Sequence, residues 1–263
     1  MKKLTAAVLA LVLALAMTAC GNMEMTKTIY VHTQSVRTIG EQEIRSEYTY
    51  SPKGTPVTVK TYFNDKLYQT ASTRTSGGVN YLTVKDREGN ESTQTTNTIY
   101  DDNGNVASVE ISVAATTVSR TRYTYDDQNR VLTANTVTSQ GNTDTSYAYD
   151  ANGNVTEQIV DDATDGSYTR TVYTYNDRNY VQEEKSYDRD GVLQGGIVYT
   201  YQGDNTGRTA TYYDAEWKPT GEVVESTYDE HGNLIREVSS MDGEVIQTIV
   251  NTYEAMEVPV EEK

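Results

Sequence analysis

Apart from its acidic side chains, this sequence has few residues that could carry out chemistry. It contains one cysteine, Cys20, two histidines, His32 and His231, and 38 Asp and Glu residues. A nucleophile needs an adjacent base, and a metal site needs several clustered ligands. The sequence offers no second cysteine and no glycine-rich phosphate loop between a strand and a helix. It therefore predicts no catalytic residue, no metal site and no cofactor, and we expect that the protein is not an enzyme.

Cys20 stands directly after a segment typical of secretory signals. Residues 1–19 have a positively charged start, a short apolar run and small residues at their end. The last positions before Cys20 resemble the lipobox of bacterial lipoproteins, in which a peptidase cuts before a lipid-bearing cysteine, although Met17 stands where Leu is usual. The resemblance implies a signal peptide over 1–19, a lipidated tether over 20–27 and a membrane anchor at the extracytoplasmic face of the cell envelope. The alternative is an ordinary signal peptide cut after Ala19, which would leave a free thiol.

The charge and composition of the chain limit its partners. The formal net charge is −16, so we expect no nucleic-acid partner, because phosphates would be repelled. The chain contains 22 Tyr but only 4 Pro, and its sequence is strongly periodic. These features favour an ordered protein whose apolar surface is made mostly of Tyr, Val and Ile.

A tyrosine motif recurs about every 25 residues, which indicates a repeat architecture. The motif is Tyr-X-Tyr followed by Asp, Asn or Gln and then by a turn rich in Asn and Gly, for example Tyr147–Val155. Asp bonds to backbone N–H groups two residues further on, and Gly or Asn accepts a positive φ. The series of second tyrosines is Tyr100, Tyr125, Tyr149, Tyr175, Tyr201, Tyr228 and Tyr253.

Weaker turns lie about half a period after the main ones, and the segments between turns are rich in Thr, Val, Ile and Tyr. In the interval between Val106 and Tyr125 the expected turn is Ala114-Ala115. We divide the chain after the tether into degenerate β-repeats over 28–97, full repeats over 98–253 and an acidic disordered tail over 254–263.

This pattern predicts an all-β fold. We expect an antiparallel β-meander of roughly 16–18 short strands that form one long twisted or curled repeat sheet. A barrel of the outer-membrane type would need strands of about 9–11 residues with a continuous lipid-facing apolar side. The segments here are shorter and include Arg170, Glu183 and Glu184 among the Tyr and Thr residues, so we do not expect such a barrel.

The repeated unit Tyr-X-Tyr-Asp-X-X-Gly-Asn resembles the YD repeat of Rhs-type and teneurin-type proteins. The match is closest at Tyr147–Val155, and the resemblance covers roughly residues 98–253. It implies a spiralling β-sheet, which in large members of that family encloses a toxin or forms a shell. This chain is too short for a large shell and contains no toxin domain, so the resemblance does not extend to a delivery function.

Three residues remain as candidates for a site. Trp217 is the only Trp and lies in a turn longer than its sisters, where an exposed ring could be a binding contact; the alternative is a ring folded over the sheet near Tyr212 and Tyr213. His231 occupies a turn position that is Asn in sister repeats, so we interpret it as a turn residue. His32 has no evident partner. Calcium at the acidic turns is an alternative that turn chemistry makes unnecessary.

The function predicted from these features is a membrane-anchored binding or scaffold module that presents a Tyr-rich sheet to a glycan or protein partner. The alternative is an extracytoplasmic carrier of an apolar ligand, which predicts a face lined by Val, Ile and Leu around an interior cavity. An exported hydrolase is the least expected of the three, for want of a site.

Overall fold

The fold is described from a computed structural model, which covers residues 28–203 and 206–258. The predicted signal peptide, the tether and Cys20 lie outside the described residues. Within the described ranges, no helix has the length and apolar character needed to cross a membrane.

The described chain consists of β-strands joined by short turns. Thr, Val, Ile and Tyr predominate in the strands, because branched and aromatic side chains pack well on a pleated surface. The strands are β1 (Thr28–Ile39), β2 (Gln42–Tyr50), β3 (Pro56–Phe63), β4 (Lys66–Ser76), β5 (Val79–Asp86), β6 (Glu91–Tyr100), β7 (Val106–Val113), β8 (Thr116–Tyr125), β9 (Val131–Thr138), β10 (Asn142–Tyr149), β11 (Val155–Asp162), β12 (Tyr168–Tyr175), β13 (Val181–Tyr187), β14 (Leu193–Gln202), β15 (Gly207–Tyr213), β16 (Pro219–Tyr228), β17 (Leu234–Met241) and β18 (Glu244–Glu257).

The sheet is closed, and the prediction of one long twisted or curled open sheet is wrong. Each strand pairs antiparallel with its neighbours in sequence, and β1 also pairs with β18. The closing ladder runs from the pair Thr28 and Glu257 to the pair Thr38 and Thr248. The fold is therefore an 18-stranded antiparallel barrel, in which no strand of the described chain remains as a free edge.

A recurring bulge gives a physical reason for the closure. At the second tyrosine of the motif, two residues of the following strand oppose one residue of the tyrosine strand, as where Tyr125 pairs with Val131. A bulge bends its strand and increases the local twist. The bulge recurs around the sheet at Tyr50, Tyr100, Tyr125, Tyr149, Tyr175 and Tyr228.

Two local predictions have clear outcomes. Ala114 and Ala115 form the turn between β7 and β8, each with a positive φ, as predicted. The predicted disordered tail, in contrast, begins too early, because β18 continues to Glu257 through its pairing with β1.

Candidate functional site

Nine turns of the described chain share one five-residue structure. The first residue donates its N–H to the fifth carbonyl, and the fourth residue donates its N–H to the first carbonyl. The fourth residue has a positive φ, which explains the preference for Gly or Asn at that position. The turns span 51–55, 86–90, 101–105, 126–130, 150–154, 176–180, 188–192, 214–218 and 229–233.

The carboxylate that opens most of these turns is occupied within the turn itself. In the turn after β10, Asp150 Oδ1 accepts the N–H groups of Asn152 and Asn154, and its Oδ2 accepts the Asn154 side chain. These hydrogen bonds hold the pKa of Asp150 below its usual range, and the bond from the Asn154 side chain has the largest effect. No group of three or more possible metal ligands occurs within residues 28–203 and 206–258.

We expect that replacing the first carboxylate of a turn destabilises the protein, whereas replacing its neighbour does not. Asp126 accepts the N–H groups of Gln128 and Arg130, and its other oxygen accepts Arg130 Nε at 2.6 Å. Asp126→Ala should lower the Tm by about 2–4 °C, the scale of one lost interaction in a chain of this length. Asp127→Ala, one position further on in the same turn, is the matched control and should leave the Tm unchanged. Equal Tm values for both variants in a thermal melt followed by circular dichroism would contradict this assignment.

The strand ladders divide the side chains into two faces. Directly paired residues share a face, and side chains alternate along each strand. We call the face that bears the paired tyrosines the Tyr face; it also carries Val109, Val160, Ile197 and Val224. We call the opposite face the charged face. It carries the cross-strand ion pairs Arg120–Glu110, Arg170–Glu157 and Lys85–Glu91, and the pair Lys185–Glu183 within β13.

The Tyr face is the less exposed of the two. Along β8, Thr121, Tyr123 and Tyr125 are half-buried, while Arg122 and Thr124 on the charged face are exposed. Strands β10 and β16 show a similar alternation. Along these three strands the side chains of the Tyr face are therefore the less exposed, although the charged face also has buried apolar residues at Val31 and Val238.

In five of the motifs the second tyrosine is held in place by its hydroxyl group. Tyr125 donates to the carbonyl of Val106 at 2.8 Å, on the strand that precedes its own. Burial of these rings raises the tyrosine pKa values, so the hydroxyls remain donors at neutral pH. The same bond joins Tyr50 to His32, Tyr149 to Val131, Tyr175 to Val155 and Tyr201 to Val181.

His32 lies in an aromatic cluster on the Tyr face, which the sequence did not indicate. Its ring stacks against Tyr48 at 4.5 Å and against Tyr253 at 5.0 Å between centroids. Its Nε2 lies 2.8 Å from the carbonyl oxygen of Gln34. Burial lowers the pKa of His32, against the opposing effect of its hydrogen bonds to Gln34 and Asn251.

This burial makes the stability of the protein depend on pH in a defined window. Because the folded-state pKa of His32 lies below the unfolded value of about 6.5, the unfolded chain binds more protons between the two values. We expect the free energy of unfolding to decrease as the pH falls from 7 through this window. His32→Phe, which keeps an aromatic ring between Tyr48 and Tyr253, should remove the decrease, and His231→Phe should retain it. Urea titrations at a series of pH values would test this, and an unchanged slope in His32→Phe would refute it.

His231 lies in a turn, at the position that is Asn103 and Asn152 in sister turns. Its N–H donates to Asp229 Oδ1 at 2.9 Å, and its ring stacks on Tyr30 of β1 with centroids 3.9 Å apart. The contact ties the closing strand to the turn between β16 and β17.

Trp217 is the fourth residue of its turn, and it has a positive φ of 58° where sister turns have Gly or Asn. Its ring stacks on Tyr213 with centroids 4.9 Å apart, lies under Lys185 Nζ at 4.3 Å and covers Gly196. These neighbours place the half-buried ring against the charged face. A role for Trp217 as a binding contact stays a prediction.

Acidic residues also line a depression of about 280 Å³ where β9, β10 and β11 meet. Its two carboxylates already have partners: Asp144 accepts from Asn135 at 2.6 Å, and Asp161 accepts from Arg189 at 2.7 Å and 3.0 Å. These bonds account for both carboxylates within the fold, so we do not assign the depression to a ligand.

A polar cluster interrupts the Tyr face at β13–β17, and sequence reasoning missed it. Glu184 accepts the hydroxyl of Tyr199 at 2.8 Å, and the guanidinium carbon of Arg208 lies 5.2 Å from the Tyr199 ring centroid. Burial, and then the hydrogen bond to Glu184, raise the pKa of Tyr199 well above its ordinary value. The cluster continues through Ser226 to Glu237, which pair directly in the ladder.

A signal for this cluster was present in the repeat. The residue that pairs with the second tyrosine is Val in most ladders of the full repeat, as in the pairs Tyr149–Val155 and Tyr175–Val181. In the ladder between β14 and β15 the partner of Tyr201 is Arg208. A charged residue in this place breaks the pattern.

Comparison with known proteins gives weak structural similarities. No family model matches the sequence, and no curated protein matches it. The fold is similar to a porin-like protein from Bacteroides uniformis ATCC 8492, with a TM-score of 0.46 and 13% identity over 86% of this chain and 96% of that one. A porin-like protein from Bacteroides vulgatus ATCC 8482 gives a TM-score of 0.46 and 12% identity, and the match covers 85% of this chain and 98% of that one. The structure TcdB2-TccC3-TEV gives a TM-score of 0.36 and 11% sequence identity, and the match covers 78% of this chain and 14% of that chain.

Similarities of this size do not assign the chain to a family. The resemblances to YD repeats and to the lipobox of lipoproteins therefore stay predictions, and the function has to be argued from the residues of the barrel.

Proposed function

We propose that the protein is a membrane-anchored extracytoplasmic carrier whose barrel holds an apolar or amphipathic ligand against the Tyr face. The observation that carries the proposal is the closure of a sheet with two chemically different faces. Closure gives the sheet an interior face. This favours the carrier, the alternative of the sequence prediction, over a scaffold that binds a partner on its surface.

The Tyr face is the better candidate for the interior. Side chains on the concave side of a closed sheet converge, so they should be the less exposed, as those of the Tyr face are along β8 and β10. A barrel of about 16–18 strands is too wide for its own side chains to fill, which leaves space for a ligand. The ion pairs of the opposite face suit a surface in contact with water.

Neither face offers the apolar band that lipid contact requires. A barrel that crosses a membrane presents a continuous outward apolar band about 25 Å tall. Here Glu184, Arg208 and Glu237 interrupt the Tyr face, and ion pairs such as Arg170–Glu157 occupy the other face. We therefore assign membrane attachment to lipid on Cys20 and place the barrel beside the bilayer.

The anchor has a direct test. Metabolic labelling with a palmitate analogue should label the wild-type protein and leave a Cys20→Ser variant unlabelled. Label in that variant would contradict the anchor. The Cys20→Ser protein used below is produced without residues 1–19, because the peptidase needs the lipid-bearing cysteine to remove them, and it should be soluble without detergent.

Native mass spectrometry of the Cys20→Ser protein tests the carrier. We expect a bound mass that is lost on denaturation or, for protein stripped of ligand, uptake of an added lipid. Thr145→Glu places a charge on the Tyr face and should abolish binding, whereas Ser146→Glu, the adjacent residue on the charged face, should retain it. Absence of any bound mass and of any uptake would reject the carrier.

A further inference from the structure

Arg208 is a charged residue in a position that the repeat otherwise gives to an apolar one. In five ladders of the full repeats the second tyrosine pairs with Val or Leu at the start of the next strand, as Tyr228 pairs with Leu234. Tyr201 pairs with Arg208 instead.

Arg208 and its neighbour Ser226 both contain buried polar atoms without a partner. The two residues pair directly in the ladder between β15 and β16, so their side chains share the Tyr face. Ser226 is only 3% exposed. Neither Ser226 Oγ nor Arg208 Nε has a hydrogen-bond partner within the described parts of the chain. Buried donors are rarely left unpaired in native proteins, so these two call for an acceptor atom from outside the chain.

The groups around this pair determine which ligand would fit. The Tyr199 hydroxyl donates its proton to Glu184, and no hydrogen bond joins it to Arg208 Nε. On the other side, Ser226 pairs with Glu237, whose carboxylate can only accept. Glu184, Glu222 and Glu237 lie on this part of the Tyr face with a single arginine among them, so an additional negative charge would be repelled.

We propose that Arg208 and Ser226 form a subsite for the uncharged, hydroxyl-bearing head group of the ligand, a saccharide ring being the chemical class that fits. Arg208 Nε and Ser226 Oγ donate to a ligand oxygen, and the Glu237 carboxylate accepts from a ligand hydroxyl. The neighbouring ring of Tyr201 offers an apolar surface to a sugar, and the rest of the Tyr face accommodates an alkyl chain. This inference rests on the proposed carrier function and names the ligand class for it.

Three probes with the same eight-carbon chain separate the possibilities: octyl β-D-glucoside, 1-octanol and octanoate, each titrated calorimetrically below its micelle concentration into the Cys20→Ser protein. We expect the glucoside to bind at least tenfold more tightly than octanol, and octanoate to bind more weakly than the glucoside. Arg208→Gln and Ser226→Ala should each weaken glucoside binding about fivefold or more, the scale of one lost hydrogen bond. Both should leave octanol binding unchanged.

Arg236→Gln is the matched control. Arg236 is exposed on the charged face of β17, and its loss should affect none of the three probes. Tighter binding of octanoate than of the glucoside, or glucoside binding that is unchanged in Arg208→Gln, would overturn the subsite while the carrier function stands. Failure of all three probes to bind would overturn the carrier function, and the subsite with it.

Discussion

We expect that removal of residues 244–263, which deletes β18, abolishes cooperative folding. β18 pairs with β17 on one side and with β1 on the other, so its loss breaks two ladders and leaves two strand edges unpaired. Exposed edges invite pairing between molecules, so we expect aggregation as well. In an open repeat sheet, by contrast, loss of the last strand would remove a single interface and only part of the stability.

Urea unfolding followed by circular dichroism measures this effect. Removal of residues 259–263 alone is the control, because this truncation leaves β18 and both of its ladders intact; we expect its free energy of unfolding to equal that of the wild-type protein. A soluble chain without β18 that unfolds cooperatively, with a proportionally smaller denaturant slope, would show that closure does not hold the sheet together.

The second large effect is expected at Gly196, on the charged face of β14. A Cβ there would overlap the carbonyl oxygen of Glu184 and would come within 2.7 Å of the Trp217 ring. The carbonyl belongs to the neighbouring strand and cannot move without disturbing the ladder between β13 and β14. We expect Gly196→Ala to lower the free energy of unfolding by about 2–4 kcal/mol, as overpacking against backbone does.

Gly40→Ala separates this clash from backbone strain. Gly40 has a positive φ of 57° but nothing within 4 Å of its Cβ position. Its substitution should cost only about 1–2 kcal/mol, the price of a left-handed conformation for a residue with a side chain. Chemical denaturation of the two variants gives the comparison, and a smaller loss in Gly196→Ala than in Gly40→Ala would contradict the packing of Trp217 over Gly196.

Local chemistry predicted the turns but not the closure. The Asp, Asn and Gly residues of a turn such as 150–154 determine its structure within five residues, so the turn can be predicted from the sequence. The pairing of β1 with β18 joins residues more than two hundred positions apart, and no local motif encodes it. The bulge at each second tyrosine, which favours closure, also involves two strands and is not visible in either one alone.

The same contrast applies to the candidate sites. Trp217 stands out in the sequence because it is the only Trp, yet its ring packs on Tyr213 and Gly196. Arg208 does not stand out in the sequence, because only the ladder shows that it pairs with Tyr201, where most second tyrosines pair with a valine. Arg208 Nε and Ser226 Oγ are buried without a partner because of the way β15 and β16 pack, and this packing cannot be read from the sequence.

In the proposed carrier the Tyr face lines the interior of the closed barrel. Thr121 and Thr124 of β8 form a matched pair to test it, because each hydroxyl is bonded to a threonine of β9 but they lie on opposite faces. In a Cys20→Ser background, Thr121→Cys and Thr124→Cys would be labelled with a small maleimide and with a maleimide on a long polyethylene glycol chain. We predict that Thr124→Cys reacts comparably with both reagents, and that Thr121→Cys reacts about tenfold or more slowly with the large one, since its access to the barrel interior is restricted. Equal rates at Thr121→Cys, or a size dependence found only at Thr124→Cys, would contradict the account.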